Sequence, residues 1–211
     1  MQKFRRLKDE GRILKNEAWA IDASIFKQND KMYMIWSGIP KDGMQRIYIQ
    51  EMSSPLTVTG KKLELSKPDL DWEYKYKNEN FTTNEGPIAL QRNGKTFILY
   101  SGNSCISEAY ALGMLTIDDK ANPMIKENWT KSKEPVFKSS KENKMWGPGH
   151  NGFTVSPDGT EDWIVYHTLL TSSFGAKRYL CMQKFTWNAD GTPNFGEPQG
   201  RVEAIKKPSG E

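Results

Sequence analysis

An all-β fold, a β-propeller, is what this sequence predicts, and three observations carry the prediction. A similar stretch recurs three times, opened by Asp22 (before ASIFKQNDKMYMIWS), Glu85 (before GPIALQRNGKTFILYS) and His150 (before NGFTVSPDGTEDWIVYH). The steps are 63 and 65 residues (85−22 and 150−85), and a near-constant period marks a repeat architecture. Each copy runs from an apolar strand through a polar turn into a second strand rich in aromatic and β-branched residues, the pattern of a hairpin. No segment shows an apolar helical stripe of ten or more residues, while 17 glycines and 11 prolines punctuate the whole chain. Four-stranded units repeated radially make a propeller, whereas a sandwich gives no reason for so long a repeat.

The elements follow in order. Strands are expected at Ala20–Phe26 and Met32–Ser37 around the turn Asn29-Asp30, then at Arg46–Met52. The second unit reads as Ile88–Gln91 and Thr96–Ser101 around Asn93-Gly94, then Tyr110–Ile117. The third reads as Phe153–Ser156 and Trp163–Thr168 around Asp158-Gly159, then Tyr179–Trp187. The connections Pro55–Asn80 and Asn122–Lys144 are too long and polar for a simple meander, so each is expected to hold the outermost strand of a blade and a surface loop. One domain spans residues 1–211, with repeats starting near 20, 84 and 149 and with 1–19 as a remnant or linker of a preceding blade.

Composition narrows the function classes. With 36% hydrophobic and 27% charged residues the chain is an ordinary globular one. No apolar run approaches the roughly 18–20 residues needed to cross a bilayer, and QKFRRLKDEGR after Met1 offers no apolar stretch for a signal peptide. The net charge of +4 comes from lysines (Lys61-Lys62, Lys131 to Lys144, Lys206-Lys207) interleaved with acids. That is a solvated surface rather than a nucleic-acid footprint, so neither nucleic acid nor membrane is an expected partner. Cys105 and Cys181 lack metal-ligand spacing, which argues against zinc and leaves one disulfide open.

If equivalent positions of successive units face a common axis, Asp22, Glu85 and His150 meet there. Glycoside hydrolysis needs a pair of carboxyl groups, one protonated for the leaving oxygen and one to activate water or attack carbon. A neighbouring anion helps the acid keep its proton by disfavouring a second negative charge. Glu85 is the better acid, because Gly86 and Pro87 bring backbone close and fix the turn. Asp22 sits among apolar neighbours, where burial is costly without a hydrogen bond or a function. The competing reading makes both of them solvated strand-end carboxylates. His150 lies in GPGHNG, among residues that let backbone turn sharply; it reads as a water or metal ligand or as a structural histidine. His167 reads as core packing. The strand-end aromatics Trp36, Tyr100 and Tyr166 are mostly packing too, although an aromatic ring beside a cavity can stack on a sugar. Arg178 offers a planar fork for a carboxylate or sugar hydroxyls, or is a surface arginine.

Several motifs resemble one family: Trp19-Ala20-Ile21-Asp22, Asn84-Glu85-Gly86-Pro87, Tyr100-Ser101-Gly102-Asn103, Trp146-Gly147-Pro148-Gly149-His150-Asn151, Ser156-Pro157-Asp158-Gly159, Val165-Tyr166-His167 and Phe185 to Gly191. In this order they are similar to glycoside hydrolase family 43, and more narrowly to its α-L-arabinofuranosidase-like members. The resemblance spans essentially the whole chain. It implies a five-bladed propeller, with about three blades in this chain, and hydrolysis with inversion by a base Asp, a second Asp that tunes and orients, and an acid Glu. By resemblance Glu85 is the general acid and Asp22 the pKa modulator that also orients substrate. His150 matches a histidine near the axis that in many members holds a calcium or sodium ion, directly or through water. Arg178, Trp146 and His150 are the implied substrate contacts, and no organic cofactor is implied.

The family's base lies on a blade ahead of both other carboxylates, and nothing in Met1–Trp19 resembles that segment; Asp9 follows Arg5-Arg6-Leu7-Lys8 in a charged stretch without strand pattern. The expectation is therefore the last three blades of five from a truncated reading frame, without the general base. The implied substrates are α-L-arabinofuranosyl or β-xylosyl linkages of plant polysaccharides, and full-length relatives are expected to be secreted or periplasmic. The alternative is a noncatalytic propeller fragment that binds carbohydrate or protein.

Overall fold

The structure, a computed structural model, describes residues 8–77, 79–200 and 206–211. Residues 1–7 of the segment read as a remnant of a preceding blade lie outside the described residues. Three four-stranded antiparallel sheets follow one another along the chain. The first contains β1 (Ala20–Gln28), β2 (Lys31–Gly38), β3 (Arg46–Ser54) and β4 (Thr57–Ser66). A four-residue helix α1 (Asp71–Tyr74) and a small hairpin, β5 (Lys75–Tyr76) and β6 (Glu79–Asn80), lead to the second sheet. That sheet contains β7 (Asn84–Arg92), β8 (Lys95–Gly102), β9 (Ala111–Asp118) and β10 (Thr130–Lys131). The third contains β11 (Trp146–Val155), β12 (Asp162–Leu169), β13 (Arg178–Trp187) and β14 (Pro193–Asn194). Each sheet is a meander whose strand order is its chain order. Strand β7 packs against both β1 and β11, so the first strands form the inner edge of three radially placed blades.

Turn chemistry accounts for the hairpins. Asn29 and Asp30 lie at φ 52° and 59°, Asn93 and Gly94 at 55° and 73°, the left-handed pairs that match the twist of two-residue hairpins. The third hairpin departs from this: Val155 pairs with Asp162, so the connection around Gly159 is longer. The two long connections hold β4 and β10 as outermost strands, as their length and polarity imply.

Packing follows the period of two. Strand β8 is buried throughout all but its first residue, and its side chains alternate between two cores. Ile98 and Tyr100 join Phe26, Tyr33, Ile35, Ile47 and Ile49 between the first two blades. Phe97 and Leu99 join Leu112, Phe137, Ile164, Tyr166 and Phe185 between the second and third. A smaller cluster on the far face of the first blade, around Trp36 and Tyr48, is covered by Ile13 and Leu14.

Two strands begin earlier than periodicity implies. Strand β7 starts at Asn84 rather than Ile88, and β11 at Trp146 rather than Phe153. In both, a bulge interrupts the alternation that the sequence reading follows. Pro87 is compatible with this placement because β7 is an edge strand and the proline sits inside the bulge.

Candidate active site

The site is built from the bulges at the starts of β1, β7 and β11. In β1, Ile21 faces Ser37 and Ser24 faces Ile35. In β7, Glu85 faces Ser101 and Ile88 faces Leu99. In β11, Gly149 faces His167 and Gly152 faces Val165. Each inner strand thus carries one extra residue at the same place. Immediately after the last regular pair, Asp22, Gly86 and His150 take φ 56°, 59° and 48°.

These three positions are 64 residues apart (86−22 and 150−86), which corrects the register expected from sequence. Asp22, Gly86 and His150 are the equivalent residues, and Glu85 stands one position earlier. The physical reason is backbone conformation. Asp and His are among the residues that tolerate the left-handed region, and glycine enters it freely. In the second blade glycine fills that slot, and the glutamate reaches the axis from the preceding one.

The side chains nevertheless converge. Asp22, Glu85 and His150 each present an atom within 4.8 Å of the other two. Asp22 Oδ2 accepts a hydrogen bond from the Gly86 amide at 3.1 Å, and its Oδ1 lies 3.8 Å from His150 Nε2. A Cβ on Gly86 would stand 3.2 Å from His150 Nδ1, so the glycine also makes room for the imidazole. The His150 side chain is 45% exposed and that of Asp22 18%; the cluster therefore opens to solvent on the histidine side.

Glu85 is held from both sides. Tyr110 Oη donates to Glu85 Oε1 at 2.6 Å. Gln45 Nε2 lies 3.5 Å from Oε2 and donates to Ser37 Oγ at 2.7 Å, and Ser37 in turn donates to the Asn84 carbonyl at 3.0 Å. Asn84 is fully buried; its side chain accepts from Ser66 Oγ at 2.7 Å and donates to Glu73 Oε1 at 3.2 Å. Glu73, also fully buried, receives Tyr100 Oη at 2.8 Å, Lys131 Nζ at 2.8 Å and the amides of Asp69 and Leu70. A buried charge so fully satisfied fixes the residue next to Glu85.

Tyr110 is fully buried. Burial, reinforced by the Glu85 charge, pushes its hydroxyl well above the usual tyrosine range. Its ring stacks on His167 with centroids 5.3 Å apart and planes 15° from parallel. His167 is pushed down to about 4, first by burial and then by the Arg178 and His150 charges, so it is neutral at neutral pH. It stands half-buried beside the site rather than within the core. Arg178 opens β13 on the exposed side, and its charge is felt by both His167 and the Cys105 thiol. Burial and the Glu85 charge push that thiol up. Trp146 opens β11 opposite Leu169 and is half-buried; it is not one of the three clustered side chains. Both cysteines are free thiols.

Sequence reasoning does not single out Tyr110, Gln45 or Glu73, and Ser101 enters it only within the motif Tyr100-Ser101-Gly102-Asn103. Tyr110 reads there as the first residue of a strand, and Glu73 falls in a segment read as strand plus surface loop. No local pattern distinguishes either, because their partners are brought in from other strands.

The donor set of two carboxylates and one imidazole suits a hard cation once water fills its remaining positions, and the spacing of 4.8 Å or less allows shared coordination. The same carboxylates suit acid–base work on a glycosidic bond.

Comparison with known proteins bears on this choice. Residues 7–193 match the family described as glycosyl hydrolases family 43. An extracellular exo-α-(1→5)-L-arabinofuranosidase of Streptomyces avermitilis is 38% identical over 189 residues, covering 86% of this chain and 38% of that protein. α-L-Arabinofuranosidase 43 of Humicola insolens is 36% identical over 191 residues, covering 86% of this chain and 39% of that protein. The chain thus spans about two fifths of these curated relatives. The crystal structure of an α-L-arabinofuranosidase from Lactobacillus brevis superposes with a TM-score of 0.84 at 40% identity, covering 93% of this chain and 62% of that one.

Proposed function

The chain belongs to glycosyl hydrolase family 43, and from that premise we propose that it carries the acid and orienting groups of an inverting α-L-arabinofuranoside hydrolase. The observation that supports this reading best is the meeting of Asp22 and Glu85 within 4.8 Å, with Glu85 held by Tyr110.

In the proposed reaction the glycosidic oxygen takes the Glu85 proton as its bond to the anomeric carbon breaks. Water attacks that carbon from the opposite face and loses its proton to a carboxylate base. Asp22 is not that base. An inverting acid and base stand roughly 6.5–9.5 Å apart to leave room for the water, and Asp22 is too near. Both Asp22 oxygens are also engaged, one by the Gly86 amide and one facing His150. Its role is to disfavour a second negative charge on Glu85 and to orient the sugar. The base comes from residues other than the described cluster.

Arg178 and Trp146 line the approach for sugar hydroxyls and a ring face. His150 would hold a calcium or sodium ion, directly or through water, and such an ion would supply positive charge at the axis. The acid role proposed for Glu85 would leave it out of the ligand set, because a coordinated carboxylate does not keep a proton. The substrate is an arabinose-containing plant polysaccharide or oligosaccharide, with β-xylosyl linkages as the neighbouring specificity, and such polymers are met outside the cell.

Azide supplies the test, since a small anion can replace activated water at the anomeric carbon. With azide, the chain converts phenyl α-L-arabinofuranoside to the azide of inverted configuration, and Glu85→Gln reduces the rate by about 10²–10⁴-fold. Equal rates in the two proteins would remove the hydrolase reading. Arabino-oligosaccharide binding without any turnover would favour a noncatalytic sugar-binding propeller.

A further inference from the structure

We propose that a one-way chain of hydrogen bonds, running from the third blade through Ser101 and Tyr110, positions Glu85 with Oε1 as the acceptor and Oε2 as the oxygen that delivers the proton. The inference rests on the acid role given to Glu85 above and goes beyond it by naming the residues that orient the acid and the oxygen that acts.

The direction of the chain follows from what each group can do. It begins at the His150 backbone amide, which donates to Ser101 Oγ at 2.8 Å. An amide N–H has no lone pair to offer, so Ser101 is the acceptor there. The Ser101 hydroxyl, fully buried, then has only its own proton to give, and its interaction with the Tyr110 hydroxyl favours the ionised phenol, the effect of a group that turns its proton toward that oxygen. Tyr110 then has one proton of its own, and it goes to Glu85 Oε1 at 2.6 Å. Every hydroxyl in the chain is spent in one direction, and such runs strengthen one another.

The consequence falls on the carboxyl group. An oxygen that accepts a short hydrogen bond from Tyr110 cannot also carry the acid proton toward that hydroxyl. The proton sits on Oε2. Among the described residues the donor that reaches it is Gln45 Nε2, at the long distance of 3.5 Å, with the other proton of that amide going to Ser37 Oγ at 2.7 Å. Oε2 is thus the less engaged oxygen and the one free to turn toward a glycosidic oxygen. When its proton leaves with the departing alcohol, Glu85 becomes a carboxylate still anchored through Oε1.

The anchor is itself locked. A Cβ on Gly149 would stand 2.3 Å from Tyr110 Cε1 and 3.1 Å from Ser101 Oγ, so only glycine lets the third blade reach these two groups. His167 closes the other face of the Tyr110 ring by stacking. The bulge that presents His150 therefore also begins the chain that aims Glu85, although the two residues belong to different blades.

Tyr110→Phe keeps the ring and removes the donor, and Ser101→Ala cuts the chain one step earlier. Two readouts separate positioning from structure. With azide present, Tyr110→Phe lowers kcat/KM for phenyl α-L-arabinofuranoside about 30-fold, while the 2,4-dinitrophenyl substrate, whose leaving group needs no proton, loses less than about threefold. Ser101→Ala shows the same split at a smaller size, and KM stays within about twofold in both. Equal losses on the two substrates would overturn the proposal. Infrared spectroscopy needs no turnover. The C=O stretch of the protonated Glu85 carboxyl group, assigned by its loss in Glu85→Gln, shifts in Tyr110→Phe and shifts less in Ser101→Ala; an unmoved band would overturn the chain of bonds even if cleavage is seen. Absence of azide-supported cleavage by the unmutated chain would count against the hydrolase reading alone, and the band position would still decide the positioning of Glu85.

Discussion

The same three inner strands serve two purposes in two halves, and the contrast between those halves explains the molecule. Beyond their bulges, β1, β7 and β11 alternate regularly and send Phe26, Ala89, Leu90 and Phe153 into the cores between blades. At their starts the alternation fails, the backbone turns left-handed at Asp22, Gly86 and His150, and the polar side chains converge. The regular halves contribute stability through apolar burial. The bulged halves give up ladder regularity, and backbone strain of that kind clusters where ligands are handled. A mutation in one half should therefore change folding, and in the other chemistry.

The largest expected effect breaks the regular half. Leu99, fully buried between the second and third blades, costs about 2–5 kcal/mol of stability when truncated to Ala. Activity per folded molecule is unchanged, as denaturant unfolding and assay of the folded fraction would show.

Next comes the neutral imidazole beside the bulges. His167 stands at about 4 in the folded chain, below the ordinary value near 6.5. The unfolded chain therefore takes up this proton first as pH falls. The stabilising contribution is complete above pH ~6.5 and is lost as pH drops toward 4. Compared with His167→Gln, the unmutated protein should lose on the order of 2 kcal/mol more across that window, allowing for the partial exposure of the ring. Parallel stability curves would contradict this.

Gly86→Ala probes the bulge itself. It forces a Cβ into left-handed backbone and to 3.2 Å from the His150 ring. The expected cost is about 1–2 kcal/mol of stability, with loss of activity larger than this cost alone explains. Asp22→Asn is the mildest change, because asparagine also accepts φ 56°. Stability is kept, and azide-supported activity falls roughly tenfold.

The same contrast governs what could be read from sequence. The hairpins were legible because Asn29-Asp30 and Asn93-Gly94 mark their turns and the strands between them keep a period of two. The near-repeat also pointed to Asp22, Glu85 and His150. It aligns them one position out in the second blade, because the equivalent slot there holds Gly86 and the polar residue stands one position earlier. In the sequence Gly86 reads as a residue that brings backbone close, yet its place as the true equivalent of Asp22 and His150 shows only in the pairing with β8. Tyr110 and Gln45 act on Glu85 from just ahead of β9 and β3, Ser101 acts through Tyr110, and Glu73 acts through Asn84; contacts between segments far apart in sequence leave no local pattern. His167 read as packing, and its stacking on Tyr110 is packing of a kind that also borders the site.

The central claim is that Asp22 and Glu85 work as one unit although 63 residues of chain separate them. A double-mutant cycle on the azide-supported cleavage of phenyl α-L-arabinofuranoside tests it most directly. Once Glu85→Gln has removed the acid, adding Asp22→Asn should slow the reaction by clearly less than the tenfold it costs alone, because only its part in orienting the sugar is left to lose. Losses that multiply in the double variant would mean that the two carboxylates act separately, and would contradict the account.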